Sequence, residues 1–427
     1  MNKKYAALIA LDWADKKHDG CLQVKGASKT EAFKLTHSAK SIATWVKSLR
    51  ERFPNSKFGI ILEQKRGAVI SALLKYDCFE IYPVNPATLA KYREAFAPSG
   101  AKDDPTDAAL MLELLQLHPD RVPRWIPEDK QTRELGILVE QRRVLVNDRK
   151  RLGNRLTSLL KCYYPLVLEL FPRMGRAVLC NFVLKYPNLE VVQKASEKEL
   201  IEFFRSNRSA NKLEEKIGKI KESVSLTEDS ATINTSVMMA ETLSMQILLL
   251  VERISLFEKR IEALFSTHKD SSFFASLPAS GENMAPRLLI AFGADRNRFK
   301  SANDMQCFLG IAPVTERSGN YSWIHWRYNC SKFTRQSIHE WAGITIRHSL
   351  WARAYYAMQR SKGKSHPIAV RALAFKWIRI LFRIWKDRKT YCETTYLAAL
   401  QRNGSPIIKF LAENPNLEKL KFSTLYT

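Results

Sequence analysis

Two short apolar runs, each closed by an acid, limit what the N-terminal part of this chain can become. Tyr5–Leu11 is apolar throughout and is followed by Asp12; Phe58–Leu62 is apolar throughout and is followed by Glu63. Continuous apolar runs of this length, without alternation, are strands buried on both faces. Helical patterns separate them, so the region is α/β. A carboxylate directly after such a strand is a poor structural choice, because burying an unpaired charge is costly.

Two further acids stand in Lys102-Asp-Asp-Pro-Thr-Asp-Ala108. Pro105 fits the first position of a helix, and Ala108–Leu112 continues it with good helix formers. Asp104 and Asp107 are then i and i+3 on one face. Four carboxylates (Asp12, Glu63, Asp104 and Asp107) converging from two strands and a helix would hold hard divalent cations through oxygen. The aspartate pair has a second reading: Asp104 as N-cap, with Asp107 placing negative charge in the first turn. Asp12 and Glu63 tip the balance towards a metal site.

The rest of residues 1–125 fits a mixed sheet with helices. Cys21–Val24 and Glu31–Leu35 read as hairpin partners of the first strand, with a turn at Lys25-Gly26. Ser38–Phe53, Ala68–Leu74 and Ala87–Phe96 read as helices, and Phe79–Val84 as a strand. Pro119, Pro123 and Pro127 mark a linker.

A basic helix and a coiled-coil region follow over 126–270. Asp129–Lys161 is one long helical pattern whose polar faces carry Arg142, Arg143, Arg149, Lys150, Arg151 and Arg155, candidates for phosphate contact. In Ala240–Phe265, Leu243, Ile247, Leu250, Ile254, Phe257, Ile261 and Leu264 form a heptad seam, a helical hairpin or a dimerisation arm. Residues 271–390 read as mainly helical. They include a helix over Thr334–Tyr356 and another over Ile368–Lys386, which interleaves Trp377, Phe382 and Trp385 with Arg379, Arg383 and Lys386. Ser318-Gly319 reads as a loop serine with Arg317 beside it. Tyr321–Tyr328 reads as an aromatic strand suited to stacking or backbone contact. Residues 391–427 are a tail, without a clear role from Asn403 on.

Charge names the class of partner. The chain of 427 residues carries 68 Lys+Arg against 43 Asp+Glu, a net +25. From Arg287 onwards there are 24 basic and 8 acidic residues, so the excess is concentrated in the last third. Such asymmetry points to a polyanion, nucleic acid before membrane. The seven cysteines are scattered and never form CxxC, which argues against a zinc ribbon or a disulfide framework and for reduced thiols inside a cell. No apolar stretch approaches a membrane span.

These residues, in this order, resemble the DEDD transposases of the insertion-sequence one-ten family, the bridge-RNA-guided recombinases. Asp12 after a strand, Glu63 in Leu-Glu-Gln, Asn85-Pro86 before Tyr92-Arg93, and Lys102-x-Asp104-x-x-Asp107-Ala108 carry the N-terminal likeness. Arg298–Ala302, Gly310-Ile-Ala-Pro313 and Ser318-Gly319 carry the C-terminal one. The resemblance implies an RNase H-like (RuvC-like) domain holding Mg2+ at Asp12, Glu63, Asp104 and Asp107. It also implies a coiled-coil arm and a C-terminal transposase domain with Ser318 as nucleophile, the two domains meeting from different subunits. Its implied partners are donor and target DNA, a structured guide (bridge) RNA, and a homodimer assembling to a tetramer in a prokaryotic cytoplasm, at the nucleoid. The chain departs from the family at Leu277-Pro-Ala-Ser-Gly281, where Ala279 stands in place of the usual glycine.

The chemistry agrees. A serine hydroxyl needs activation and a stabilised phosphorane, both of which carboxylate-held ions supply, and Arg317 would clamp the scissile phosphate. Basic helices, with Arg379 and Arg383 in the last third, would hold nucleic-acid backbones. Two other classes stay open: a RuvC-like structure-specific nuclease that uses water as nucleophile, and a non-enzymatic nucleic-acid scaffold in which the acids are caps.

Overall fold

The computed structural model describes residues 4–63, 67–96, 104–172 and 175–419; the side chains of Asp104, Glu418 and Lys419 are outside the description. The chain divides into two compact units, Met1–Pro127 and Glu128–Thr427.

In the first unit β1 (Ala7–Asp12), β2 (Lys17–Val24) and β3 (Glu31–Thr36) are followed by helix α1 (Ala39–Arg52), β4 (Phe58–Leu62), α2 (Ala68–Leu73), β5 (Phe79–Pro83), α3 (Pro86–Phe96) and α4 (Asp104–Leu117). The sheet order is β3-β2-β1-β4-β5. β2 lies antiparallel to β1 and β3, while β4 runs parallel to β1 and β5. This is the RNase H-like mixed sheet. Its central strands are buried on both faces, which is why they read as unbroken apolar runs.

Strand alternation sorts the core into two layers. Ala7, Ile9 and Leu11 of β1, with Phe58, Ile60 and Leu62 of β4, face Ile42, Val46 and Leu49 of α1. Leu8 and Ala10 of β1, Ile61 of β4 and Tyr82 of β5 face the other way, onto Ala108, Met111, Leu112 and Leu115 of α4. Ser38 caps α1, its side chain accepting from the Ser41 amide.

Among the described residues the second unit is helical except for one hairpin. Asp129 caps the long helix Lys130–Tyr163, accepting from the Thr132 amide. The helix Ser230–Ser266 packs antiparallel along it, tied by ion pairs Arg142–Glu258 and Arg260–Glu134. The seam positions Leu243, Ile247, Ile254 and Ile261 are buried. The heptad therefore builds a helical hairpin within the chain.

Two cores fill this unit. One gathers Leu156, Leu160, Phe182, Phe203 and Phe204 with Leu243 and Ile247. The larger is built around Trp341, Trp351, Trp377 and Trp385.

The expected single helix Thr334–Tyr356 is two, Lys332–Thr345 and Leu350–Ser361. Ser349 breaks the pattern by capping the second, its side chain accepting from the Ala352 amide, and Glu393 accepts from the Leu350 amide at 2.7 Å. The tail is not idle. Ile407 and Leu417 are buried in the larger core, and Arg353 donates to the Leu417 carbonyl at 2.7 Å. No helix among the described residues is long and apolar enough to cross a membrane.

Candidate active site

The first two acids are brought together by register. β1 and β4 pair in parallel, Ala7 with Phe58 through Ala10 with Ile61. Two residues on, Asp12 and Glu63 stand side by side at the carboxyl ends of adjacent strands. Both continue the parity of Ala10 and Ile61, the face covered by α4. Parallel pairing puts the open ends of both strands on one edge of the sheet, where a ligand can enter.

A histidine pair holds the turn after Asp12. The Ala14 amide donates to His18 Nδ1 at 3.1 Å, and His18 Nε2 lies 3.0 Å from His37 Nδ1. With Nδ1 accepting, Nε2 carries the proton and donates to His37. Burial, then the neighbouring His37, keeps the His18 imidazole below its ordinary pKa, so the neutral form this bonding needs is favoured.

Asp104 opens α4 and Asp107 lies one turn on, at the third helical residue after it. Asp107 is only 2% exposed. Both of its oxygens accept from Arg93 of α3: Nε donates to Oδ1 at 2.7 Å and Nη2 to Oδ2 at 2.5 Å. The fork-on-fork geometry neutralises a charge that burial would otherwise penalise. The carboxylate donor set suits a hard divalent cation. Among the described residues no three His, Cys, Asp or Glu side chains are grouped closely enough to hold one. Asp107 is engaged by Arg93, and the Asp104 side chain falls outside the description.

Ser318 was expected in a loop. It is the last residue of strand β6 (Val314–Ser318), which pairs antiparallel with β7 (Tyr321–His325). The turn between them is two residues long. Gly319 takes φ +56° at its first position, where a tight hairpin requires a left-handed residue. Ser318 is exposed and pairs with Tyr321. Arg317 pairs with Ser322 and so presents on the opposite face of the hairpin.

The basic candidates divide. Arg142 is bound to Glu258, and Arg143 lies over the Phe333 ring at 4.5 Å. Arg151 pairs with Asp148 and Arg383 with Asp387. Lys150, Arg155, Arg317 and Arg379 are exposed, and Arg149 is half-buried.

At the turn Leu277–Gly281, Ala279 adopts φ +58°, a conformation suited to glycine. The Ser280 hydroxyl there donates inward, to the Leu277 carbonyl at 2.8 Å.

Sequence reasoning missed Glu80, a carboxylate at the second residue of β5 that is 3% exposed. It accepts from Tyr5 at 2.5 Å and Lys4 at 2.6 Å, with Arg124 at 3.2 Å. Burial pushes its pKa up, but the bonds from Lys4 and Tyr5 and the charge of Arg124 outweigh burial and hold it below the usual range. It sits at the amino end of the sheet, away from Asp12 and Glu63, and its role is to tie strands together. A polar residue in an apolar strand was the available signal. The partnership of Arg93 with Asp107 had none beyond the proximity of Tyr92-Arg93 to the aspartate motif.

Known proteins match both halves of this picture. A transposase family model of the DEDD IS110 type covers residues 9–165, and the transposase IS116/IS110/IS902 family model covers 271–357. The IS117 mini-circle protein of Streptomyces coelicolor, whose name carries the word transposase, is 23% identical over 406 residues, 91% of this chain and 96% of that protein. An uncharacterized 43.6 kDa protein of insertion element IS110 from the same species is 27% identical, over 69% of this chain and 73% of its own. An uncharacterized 44.8 kDa protein of IS116 from Streptomyces clavuligerus is 24% identical, over 84% and 89%.

Proposed function

From the premise that this chain belongs to the IS110 family of transposases and is a DNA-cutting enzyme, we propose that it recombines its element by attack of Ser318 on a DNA phosphodiester, supported by Mg2+ at Asp12, Glu63, Asp104 and Asp107. The observation that carries the metal part is the parallel register that sets Asp12 beside Glu63 on the α4 face. For the serine, it is an exposed hydroxyl at the tip of a tight hairpin, with Arg317 on the opposite face.

Bound ions would polarise the scissile phosphate and lower the pKa of the attacking hydroxyl. Asp12 and Glu63 would supply two of the ligands, and Asp104, the first residue of α4, a third. For Asp107 to join them, Arg93 must release it; the freed guanidinium is then available to the phosphate. Ser318 Oγ loses its proton to a base and forms an O–P bond. The P–O bond to one deoxyribose breaks, leaving a sugar hydroxyl. Attack of a sugar hydroxyl on the serine ester reverses the chemistry and restores Ser318. Bond energy is conserved, so no nucleotide cofactor is needed. Arg317, on the other face, contacts a neighbouring phosphate.

The exposed basic residues Lys150, Arg155 and Arg379, with Arg142, Arg143, Arg149, Arg151 and Arg383, form the nucleic-acid-binding set. A structured guide RNA would choose the sites by base pairing, and the assembly would be a tetramer of two dimers.

The test is a denaturing gel on labelled DNA. The native chain with Mg2+ should leave a covalent protein–DNA adduct, and Ser318→Ala should not. Cleavage without any adduct would favour the RuvC-like nuclease, with water as nucleophile.

A further inference from the structure

The aromatic strand beside Ser318 has no part in that chemistry, yet it is laid out as a regular ladder. Alternation along β7 puts Tyr321, Trp323 and His325 on one face. Cross-strand pairing adds Ser318, opposite Tyr321, and Glu316, opposite Trp323. The rings are open to solvent, Tyr321 79% and Trp323 46% exposed.

Their orientation is set by one carboxylate. Trp323 Nε1 donates to Glu316 Oε2 at 2.8 Å, and His325 Nε2 lies 2.7 Å from Glu316 Oε1. The Tyr328 ring lies nearly parallel to His325, interplanar angle 20°, and extends the row. Same-face residues on a strand repeat at about 6.8 Å, roughly twice the rise per base of a nucleic-acid strand. That repeat matches the insertion of one base between each successive pair of side chains.

The charge around the ladder identifies the occupant. Just past His325 the Arg371 guanidinium covers the Trp326 ring, and burial, then the charge of Arg335, lowers its pKa. Nε and Nη2 of Arg371 are buried and have no hydrogen-bond partner among the described residues. Arg327 and Arg335 donate to backbone carbonyls and pair with no carboxylate among the described residues. Arg327 and Arg335 are only half-buried, and a phosphate is the counter-charge they lack. A strand of nucleic acid meets both needs, stacking its bases and supplying phosphates.

We infer that the β7 face carrying Tyr321, Trp323 and His325 stacks two unpaired DNA bases beside the phosphate that Ser318 attacks. The inference rests on Ser318 as nucleophile for the identity of the neighbouring phosphate. The stacking face itself follows from the ladder. The two same-face intervals, Tyr321 to Trp323 and Trp323 to His325, set the number of bases. The DNA is therefore opened at the cut, with its flanking bases held by protein.

The full-length chain is tested with fluorescence anisotropy on two probes of equal charge, an oligo(dT) octamer and an abasic octamer. The native chain should bind the oligo(dT) more tightly. Tyr321→Ala and Trp323→Ala should each weaken it about tenfold and leave abasic binding unchanged. Trp323→Phe should restore most of the loss. Both rings are exposed, so the fold should survive. Ser318→Ala should bind oligo(dT) like the native chain while losing the covalent adduct, so an adduct that persists in it counts against the nucleophile alone. Equal loss on both probes, or no loss on either, overturns the ladder. So does a tenfold preference for oligo(rU), which would make the ligand RNA. A Trp323→Ala chain that dissociates into smaller assemblies with its base preference intact would make the face a protein contact, which also overturns it.

Discussion

The carboxylate edge of the sheet and the serine hairpin are built on opposite principles. Asp12 and Glu63 are neighbours only because two strands separated by about 50 residues of sequence pair in parallel, and a core buried on both faces fixes that register. The cost of slipping it by one residue is the inversion of every apolar side chain. Ser318 is positioned by its own surroundings, a two-residue turn and five cross-strand pairs, with its side chain exposed. The comparison shows a division of labour. The two acids are half-buried at the ends of strands whose register a deep core fixes, and the serine is exposed at a hairpin tip open to a polymer.

The largest effects should fall on catalysis and leave the fold alone. Asp12→Asn, Glu63→Gln and Ser318→Ala should each lower strand transfer by about 10³-fold or more, as loss of a metal ligand or nucleophile does. The thermal unfolding midpoint should stay close to that of the native chain. A matching loss of midpoint in Asp12→Asn would mean that the edge acid is structural, as Glu80 is, and the contrast would break.

Arg93→Ala should separate the two regions next. It leaves the buried Asp107 carboxylate unpaired, a loss of about 3–5 kcal/mol for a broken buried pair. Urea unfolding of the full chain should show it in the first unit, while the far-ultraviolet signal of the helical unit persists. An unchanged unfolding midpoint would mean that Asp107 readily trades Arg93 for another partner.

Gly319→Ala is the hairpin's counterpart. A side chain at φ +56° costs about 1–2 kcal/mol, felt only locally. Adduct formation should drop several-fold with no shift in global stability. A fully active Gly319→Ala would show that the turn does not position the serine.

The smallest effect is on titration. The Glu316 hydrogen bond, then the Trp326 carbonyl, raises the His325 pKa above its ordinary 6.5. The folded hairpin therefore gains from protonated His325 fully below pH 6.5, and loses that gain as pH rises through the raised value. Glu316→Gln should bring the imidazole titration, followed by NMR, back towards 6.5. A titration that does not move would mean that the carboxylate does not hold the ring.

Much of this was legible because local rules coincide with the global fold. Ile42, Val46 and Leu49 mark α1 by their spacing, and Ser38 and Asp129 sit where helix caps belong. The heptad seam from Leu243 gave a long helix but no partner. The packed helix Lys130–Tyr163 supplied one, since a seam records only that a face is apolar. Thr334–Tyr356 read as one helix because its apolar spacing runs through the break; the cap at Ser349 is completed by Glu393, far along the chain. Ser318-Gly319 showed a turn but not which face the serine occupies, which depends on cross-strand pairing.

The sequence by itself determined most elements of the first unit, the acids that end two buried strands, the basic excess and a break in structure at Ser318-Gly319. Each of these is a property of neighbours along the chain. Tertiary structure alone decided that Asp12 lies beside Glu63, that Arg93 closes on Asp107, and that Tyr321, Trp323 and His325 share the serine's face. The reason is physical: strand order and register are chosen by burial of whole faces at once, a sum over residues far apart in sequence that no local window contains.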